Sequence, residues 1–270
     1  MKPRIAIPLP HSGDPEYALR AIPQYERAIK LSGGEPVRIP LDRAPEEVMK
    51  MIEGCDGVLL PGSKADVDPA KYDAPRDPKT EAADSRRDTV DELLLQDAYN
   101  MRKPVLGICY GLQILNVYQS GTLLQHIESK INHEAGRDVP VAHDVAIEPE
   151  SRLAEIVSGA GAVSSRASLH RTGEGTRPHV GIAGEGTKSS ADCIVIPANS
   201  SHHQAAGDVI GDGLRIVARC PDDNVIEAIE GTSPDHFVLA VQWHPERSYD
   251  EDPSSRALFG ALIDAARQSH

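Results

Sequence analysis

Cys109 is the residue of this chain best placed to act as a nucleophile. It stands in Lys103-Pro104-Val105-Leu106-Gly107-Ile108-Cys109-Tyr110-Gly111-Leu112-Gln113, a short apolar strand that runs straight into an amphipathic helix. A strand-to-helix turn of that kind pushes one side chain out at the carboxyl edge of a sheet. Gly107 and Gly111, two residues to either side, leave room for a turn in which a side chain would meet neighbouring backbone. The thiol then lies at a helix amino end, where free N–H groups and the macrodipole favour its thiolate. A buried structural cysteine in a βα unit would give the same pattern, so the motif needs a second half.

That half lies far downstream. Phe237-Val238-Leu239-Ala240-Val241-Gln242-Trp243-His244-Pro245-Glu246 is another apolar strand, ending in His-Pro-Glu. Residues two apart in an extended segment face the same side, so His244 and Glu246 can meet one site together while Pro245 stiffens the link. A thiol requires a base to take its proton and a group to orient that base. Cys109, His244 and Glu246 supply the three roles.

The elements that must position them alternate along the chain. Strand-like apolar runs fall at 5–8, 37–40, 57–60, 105–108, 145–147, 194–197, 214–220, 225–229 and 238–241. Helical patterns are expected at 23–31, 45–53, 85–101, 111–119 and 254–268. Such alternation predicts an α/β fold with a mainly parallel, doubly wound sheet. Ligands bind such sheets at the carboxyl ends of strands, where Gly62, Cys109 and His244 all fall. The runs at 214–220 and 225–229 are separated by Pro221-Asp222-Asp223-Asn224, which predicts an antiparallel hairpin forming a flap. The loop at 62–83 has the length of a functional lid, and 159–191 reads as an inserted surface loop, rich in Gly, Ser, Thr and His.

Composition narrows the class of partner. The chain has 270 residues, enough for one large α/β domain or two small ones. With 28 basic against 41 acidic residues its net charge is −13, which argues against a nucleic-acid partner. Cys55, Cys109, Cys193 and Cys220 are far apart and suggest neither a zinc site nor a disulfide scaffold. The apolar stretch near the start is short and broken by Pro8, and no run approaches a membrane span, so a cytoplasmic location is expected.

Cys-x-Gly-x-Gln after a strand, with Trp-His-Pro-Glu near the end, resembles the class I glutamine amidotransferase superfamily. Within it the chain is similar to the γ-glutamyl-γ-aminobutyrate hydrolase family of cysteine peptidases. Four further segments carry that narrower likeness: Leu60-Pro61-Gly62-Ser63 with Asp68-Pro69 and Tyr72; Asp84-Ser85-Arg86-Arg87-Asp88 with Glu92; Asn199-Ser200-Ser201-His202-His203-Gln204; and Ile226-Glu227-Ala228-Ile229-Glu230. The resemblance implies a single domain over 1–270, a flavodoxin-like three-layer sandwich with a mainly parallel central sheet and a small antiparallel flap.

It implies hydrolysis of a γ-glutamyl amide through a thioester on Cys109, with no cofactor and no metal. The expected oxyanion donors are the backbone N–H groups of Tyr110 and Gly62, the latter because glycine lets the main chain approach closely. Gln113 lies one helical turn past the cysteine, at a position that in the superfamily helps hold the glutamyl group. Asn199, Ser200 and His202 are expected beside the substrate. A metal site from His202, His203 and His244 is disfavoured, since adjacent histidines on an extended segment face opposite ways. The Arg86, Arg87, Asp88 and Glu92 group is expected to make ion pairs or brace the sheet.

The hydrolase family usually has Arg after the nucleophile. Tyr110 instead resembles glutaminase domains of nucleotide-synthesising amidotransferases, and its side chain is expected to reach the leaving group or a partner surface. The alternative function is therefore a glutaminase subunit that delivers ammonia to a synthase partner. Otherwise the expected partner is a small γ-glutamyl molecule, with a homodimer left open.

Overall fold

A computed structural model describes residues 1–161 and 193–268 of the chain. The expected insertion at 159–191 thus lies outside the described residues beyond its first three positions.

Among the described residues, nine strands form one sheet in the order β2-β1-β3-β4-β11-β10-β9-β6-β7. The first five of that order are mutually parallel: β2 (Glu35–Ile39), β1 (Arg4–Pro8), β3 (Gly57–Leu60), β4 (Val105–Ile108) and β11 (Val238–Val241). Apart from Arg4 and the edge strand β2, where Glu35 and Arg38 are exposed, their residues are apolar on both sides, as strands covered on both faces must be. Ile5, Ile7, Leu59, Leu106, Ile108, Leu239 and Val241 pack on one face, and Ala6, Val58, Leu60, Val105, Val238 and Ala240 on the other.

Helices cover both faces. On the first lie α1 (Pro15–Leu31), α5 (Arg152–Gly159) and α6 (Pro253–Gln268); on the second lie α2 (Pro45–Glu53), α3 (Ser85–Met101) and α4 (Tyr110–Tyr118). This is the three-layer α/β sandwich expected. The remaining strands, β6 (His143–Ile147), β7 (Ile194–Ala198), β9 (Leu214–Arg219) and β10 (Ile226–Gly231), extend the sheet in antiparallel pairing. The predicted hairpin is present as β9 and β10, but it continues the main sheet. A separate small antiparallel sheet is made by β5 (Leu123–Leu124) and β8 (Ala205–Ala206).

One helix boundary moved for a clear reason. Proline at position 23 suggested a helix start there, yet α1 begins at Pro15, capped by Asp14, whose side chain accepts from Tyr17 N–H. The buried stripe Ala18, Ala21, Ile22, Tyr25, Ala28 and Ile29 runs through Pro23 without a break. Packing of that stripe outweighs the one backbone hydrogen bond a proline forfeits.

Candidate active site

Three adjacent strands deliver the chemistry. In the β3-β4-β11 ladder Leu60 pairs with Gly107 and Ile108 with Val241. That register brings Gly62, Cys109 and His244 to one edge of the sheet, each just past the end of its strand.

Cys109 makes the turn itself. Its φ of 54° and ψ of −106° lie where a side chain is strained, which costs about 1–3 kcal/mol. Its N–H donates to Val241 O at 2.8 Å, so the neighbouring strand holds the turn in place. A Cβ on Gly107 would sit 2.8 Å from Gly111 O, and one on Gly111 only 2.2 Å from Leu60 O. Backbone packs on backbone here, and only glycine fits. The sulfur stands at the amino end of α4, as the motif predicts.

His244 is buried, and its Nδ1 lies 2.8 Å from Glu246 Oε1. That contact leaves Nε2 uncommitted to the carboxylate, and Cys109 and His244 line one cavity, both beside Gly62. Burial pulls the imidazole pKa down, but the Glu246 carboxylate and the cysteine outweigh it, and His244 is pushed up to about 9. Burial alone would raise Glu246; the facing His244 holds it below the usual carboxylate range. The three groups expected from sequence thus stand in a row.

The backbone of His244 is clamped by Asn199. The Asn199 amide donates to His244 O at 3.0 Å and its Oδ1 accepts from His244 N–H at 3.0 Å. In front of the row lies a cavity of about 560 Å³. Cys109, Gln113, His202 and His244 line it, together with Ser63–Asp66 from the long loop and Arg247. Cationic Lys64, Lys79 and Arg247 share this wall with anionic Asp66, Glu81 and Glu134.

Several expected roles need correction. Gly62 is at the site, since a Cβ there would lie 3.0 Å from His244 Cε1 and 3.6 Å from Cys109 Cβ. Its N–H, however, already donates to Tyr25 Oη at 3.1 Å, so it is not a free oxyanion donor. Tyr110 keeps its N–H at the first position of α4, where no intrahelical acceptor exists. Its side chain does not line the cavity. The ring is buried, with its hydroxyl donating to Asp88 Oδ1 at 2.5 Å and Arg87 Cζ 5.0 Å from its centroid.

Asn199 and Ser200 are both buried away from the cavity. Neither lines the cavity, and the Ser200 hydroxyl donates to His133 O at 2.7 Å. Gln113 does line it, while its amide donates to Gln204 O at 3.1 Å. Both His202 and His203 face the cavity, but His203 Nε2 lies 3.1 Å from Asp66 Oδ1 and His202 Nδ1 2.9 Å from Gln204 O.

Arg87, expected to make ion pairs or brace the sheet, makes an ion pair and holds the segments that follow β1 and β3. Fully buried, it pairs with Asp91 at 2.8 Å and donates to Pro10 O at 3.1 Å and Pro61 O at 2.8 Å, beside Gly62. Sequence reasoning did not single out Tyr25, Asn199 as a clamp, or the part played by His133, His143 and Glu227. Glu227 left a signal, an acid set among Ile226, Ala228 and Ile229.

The fold is that of glutamine amidotransferase-like α/β proteins. The glutaminase domain of CTPS from Trypanosoma brucei, solved with bound acivicin, superposes with a TM-score of 0.57 at 18% identity, covering 99% of this chain and 94% of that one. The Peptidase C26 family model matches residues 10–246, and the chain belongs to that family. A glutamine amidotransferase-like protein of Rickettsia prowazekii is 30% identical over 267 residues, 94% of this chain and 90% of its own. The γ-glutamyl-γ-aminobutyrate hydrolase of Escherichia coli O157:H7 is 30% identical over 254 residues, 90% of this chain and 85% of its own. The protein is an enzyme of the glutamine amidotransferase-like, C26 peptidase type. No described helix is long and apolar enough to cross a membrane.

Proposed function

We propose that the protein hydrolyses γ-glutamyl amides through a thioester on Cys109. The observation that carries this reading is the buried group Cys109, His244 and Glu246, with Nδ1 of His244 committed to the carboxylate and the cysteine and the imidazole sharing one cavity beside Gly62.

The thiol gives its proton to His244, and the sulfur attacks the γ-carbonyl carbon. The developing oxyanion is met by Tyr110 N–H at the positive end of α4. His244 returns the proton to the leaving amine, whose C–N bond breaks. Water, deprotonated by the same imidazole, then cleaves the thioester to release glutamate and regenerate the thiol. Glu246 holds the imidazole in the required tautomer throughout.

The mixed charge of the cavity suits a glutamyl group, which carries an α-ammonium and an α-carboxylate. Arg247, beside the triad, is the natural carboxylate anchor, and Glu81 or Asp66 can face the ammonium. The side chain of Tyr110 is spent on Asp88 and favours no particular amine.

The test is a panel of γ-glutamyl amides, including γ-glutamyl-γ-aminobutyrate and γ-glutamyl-p-nitroanilide, offered to the isolated chain and to Cys109→Ala. Turnover by the wild type alone, lost in the variant, supports the proposal. Silence until a synthase is added would replace it with an ammonia-delivering glutaminase.

A further inference from the structure

Beyond the triad, the side chains of His133, His143, His202 and Glu227 converge on one buried point. They come from separate places: the segment before β6, the start of β6, the segment after β7, and the start of β10. Their side chains are 0–2% exposed. Glu227 Oε1 lies 3.4 Å from His133 Nδ1, 3.4 Å from His143 Nε2 and 3.7 Å from His202 Nε2, and the four donor atoms lie within 4.8 Å of one another.

None of these contacts is a formed hydrogen bond. His133 Nδ1, His143 Nε2, His202 Nε2 and both oxygens of Glu227 are buried without a partner. Five orphaned polar atoms facing one another are costly to bury unless something sits between them. The opposite side of each ring is satisfied. His133 Nε2 is 2.8 Å from Asp223 Oδ2, His143 Nδ1 is 3.2 Å from Asp144 O, and His202 Nδ1 is 2.9 Å from Gln204 O. Each outer acceptor fixes a proton on that nitrogen and turns the lone pair of the other inward. This is the outer-shell arrangement that orients histidine ligands toward a metal.

We propose that His133, His143, His202 and Glu227 form a closed, four-ligand site for a divalent ion of the zinc class. Zinc bonds of about 2.0–2.2 Å in tetrahedral geometry place neighbouring donor atoms about 3.3–3.5 Å apart, close to the separations here. Three neutral imidazoles and one carboxylate form a borderline N/O set that suits zinc over magnesium or calcium. The ion neutralises the otherwise unpaired carboxylate. A second grouping, His133 with Cys220 and Asp223, is a weaker candidate, because Asp223 is already engaged by the His133 ring.

With all four positions taken by protein, the ion is structural. It ties the sheet to the segment holding Asn199, Ser200, His202 and Gln204, and hence to the His244 clamp and the Gln113 amide. Of the three histidines disfavoured together as a metal site from sequence, His203 and His244 are engaged by Asp66 and Glu246, whereas His202 joins this cluster. The site stands independently of which amide the enzyme cleaves.

The test uses the full chain, purified without chelator and without a histidine tag. Elemental analysis should find about one equivalent of zinc per chain. Stripping with dipicolinate should lower Tm, and Zn²⁺ alone should restore it. Co²⁺ added to stripped protein should give the intense visible bands of a tetrahedral site. His143→Asn and Glu227→Gln should lose the metal, while Cys109→Ala, inert in hydrolysis, should keep it. Should those two variants misfold, Asp223→Asn leaves the ligands in place and should weaken Zn²⁺ binding roughly 10- to 100-fold. A metal-free purified protein whose Tm ignores Zn²⁺ and whose Co²⁺ spectrum shows only weak octahedral bands would overturn the proposal. So would a metal content unchanged by His143→Asn and Glu227→Gln.

Discussion

Replacing Glu246 by Gln separates the charge of the carboxylate from its place in the row. Gln keeps an oxygen that can accept from Nδ1–H, so the imidazole stays oriented, but the negative charge 2.8 Å away is gone. Both partners are buried, with side chains 4% and 2% exposed, so solvent does little to screen the loss. A hydrogen bond between charged groups contributes about 2–3 kcal/mol, which would lower kcat/KM roughly 30- to 150-fold. The alkaline limb should move as well. His244 is held at about 9 chiefly against burial by Glu246 and the cysteine, so the limb should fall from about 9 to roughly 7. The sign follows from the raised value. The protonated imidazole, needed to expel the amine, is present below about 9 and lost above it. Its contribution to stability is whole below the ordinary value of 6.5 and fades as pH rises through about 9, a dependence the Gln variant should lack. Initial rates with γ-glutamyl-p-nitroanilide across the alkaline range, paired with urea unfolding at the same pH values, read both effects. A Gln variant with the wild-type rate and limb would refute the reasoning, as would one as inert as Cys109→Ala.

Other substitutions probe separate parts of the site. Gly111→Ala forces a Cβ to within 2.2 Å of Leu60 O and should destabilise by at least about 3 kcal/mol, seen as a lowered urea midpoint. Tyr110→Phe strands the buried Asp88 and should cost about 1–3 kcal/mol of stability while leaving turnover of every amide in the panel unchanged. A changed amine preference would instead return that side chain to the substrate. Arg247→Ala should raise KM about tenfold with a much smaller effect on kcat, as loss of a carboxylate anchor predicts.

The nucleophile elbow was legible because it is local. Gly107, Cys109 and Gly111 lie within five residues, and the steric demand that selects glycine there acts between those residues and the next strand. His244 and Glu246 were legible for the same reason, being two apart on one strand end. What escaped depends on contacts between distant segments. Whether Gly62 N–H is free is decided by Tyr25, 37 residues earlier on α1. Whether Tyr110 points to substrate is decided by Asp88 on the facing helix. Asn199 was expected at the substrate because it is polar and near the site, yet its two-ended amide matches the His244 backbone instead. Pro23 misled in the opposite direction, since a local rule was outweighed by the buried stripe of α1.

The central claim is that substrate carbon becomes bonded to the sulfur of Cys109. Rapid acid quench of the wild type with saturating γ-glutamyl-p-nitroanilide, followed by peptide mass spectrometry, tests it directly. A glutamyl mass on the peptide containing Cys109, discharged by water and absent after alkylation of that cysteine, is the result expected. Full turnover with no adduct at Cys109, or turnover that survives its alkylation, would contradict the account.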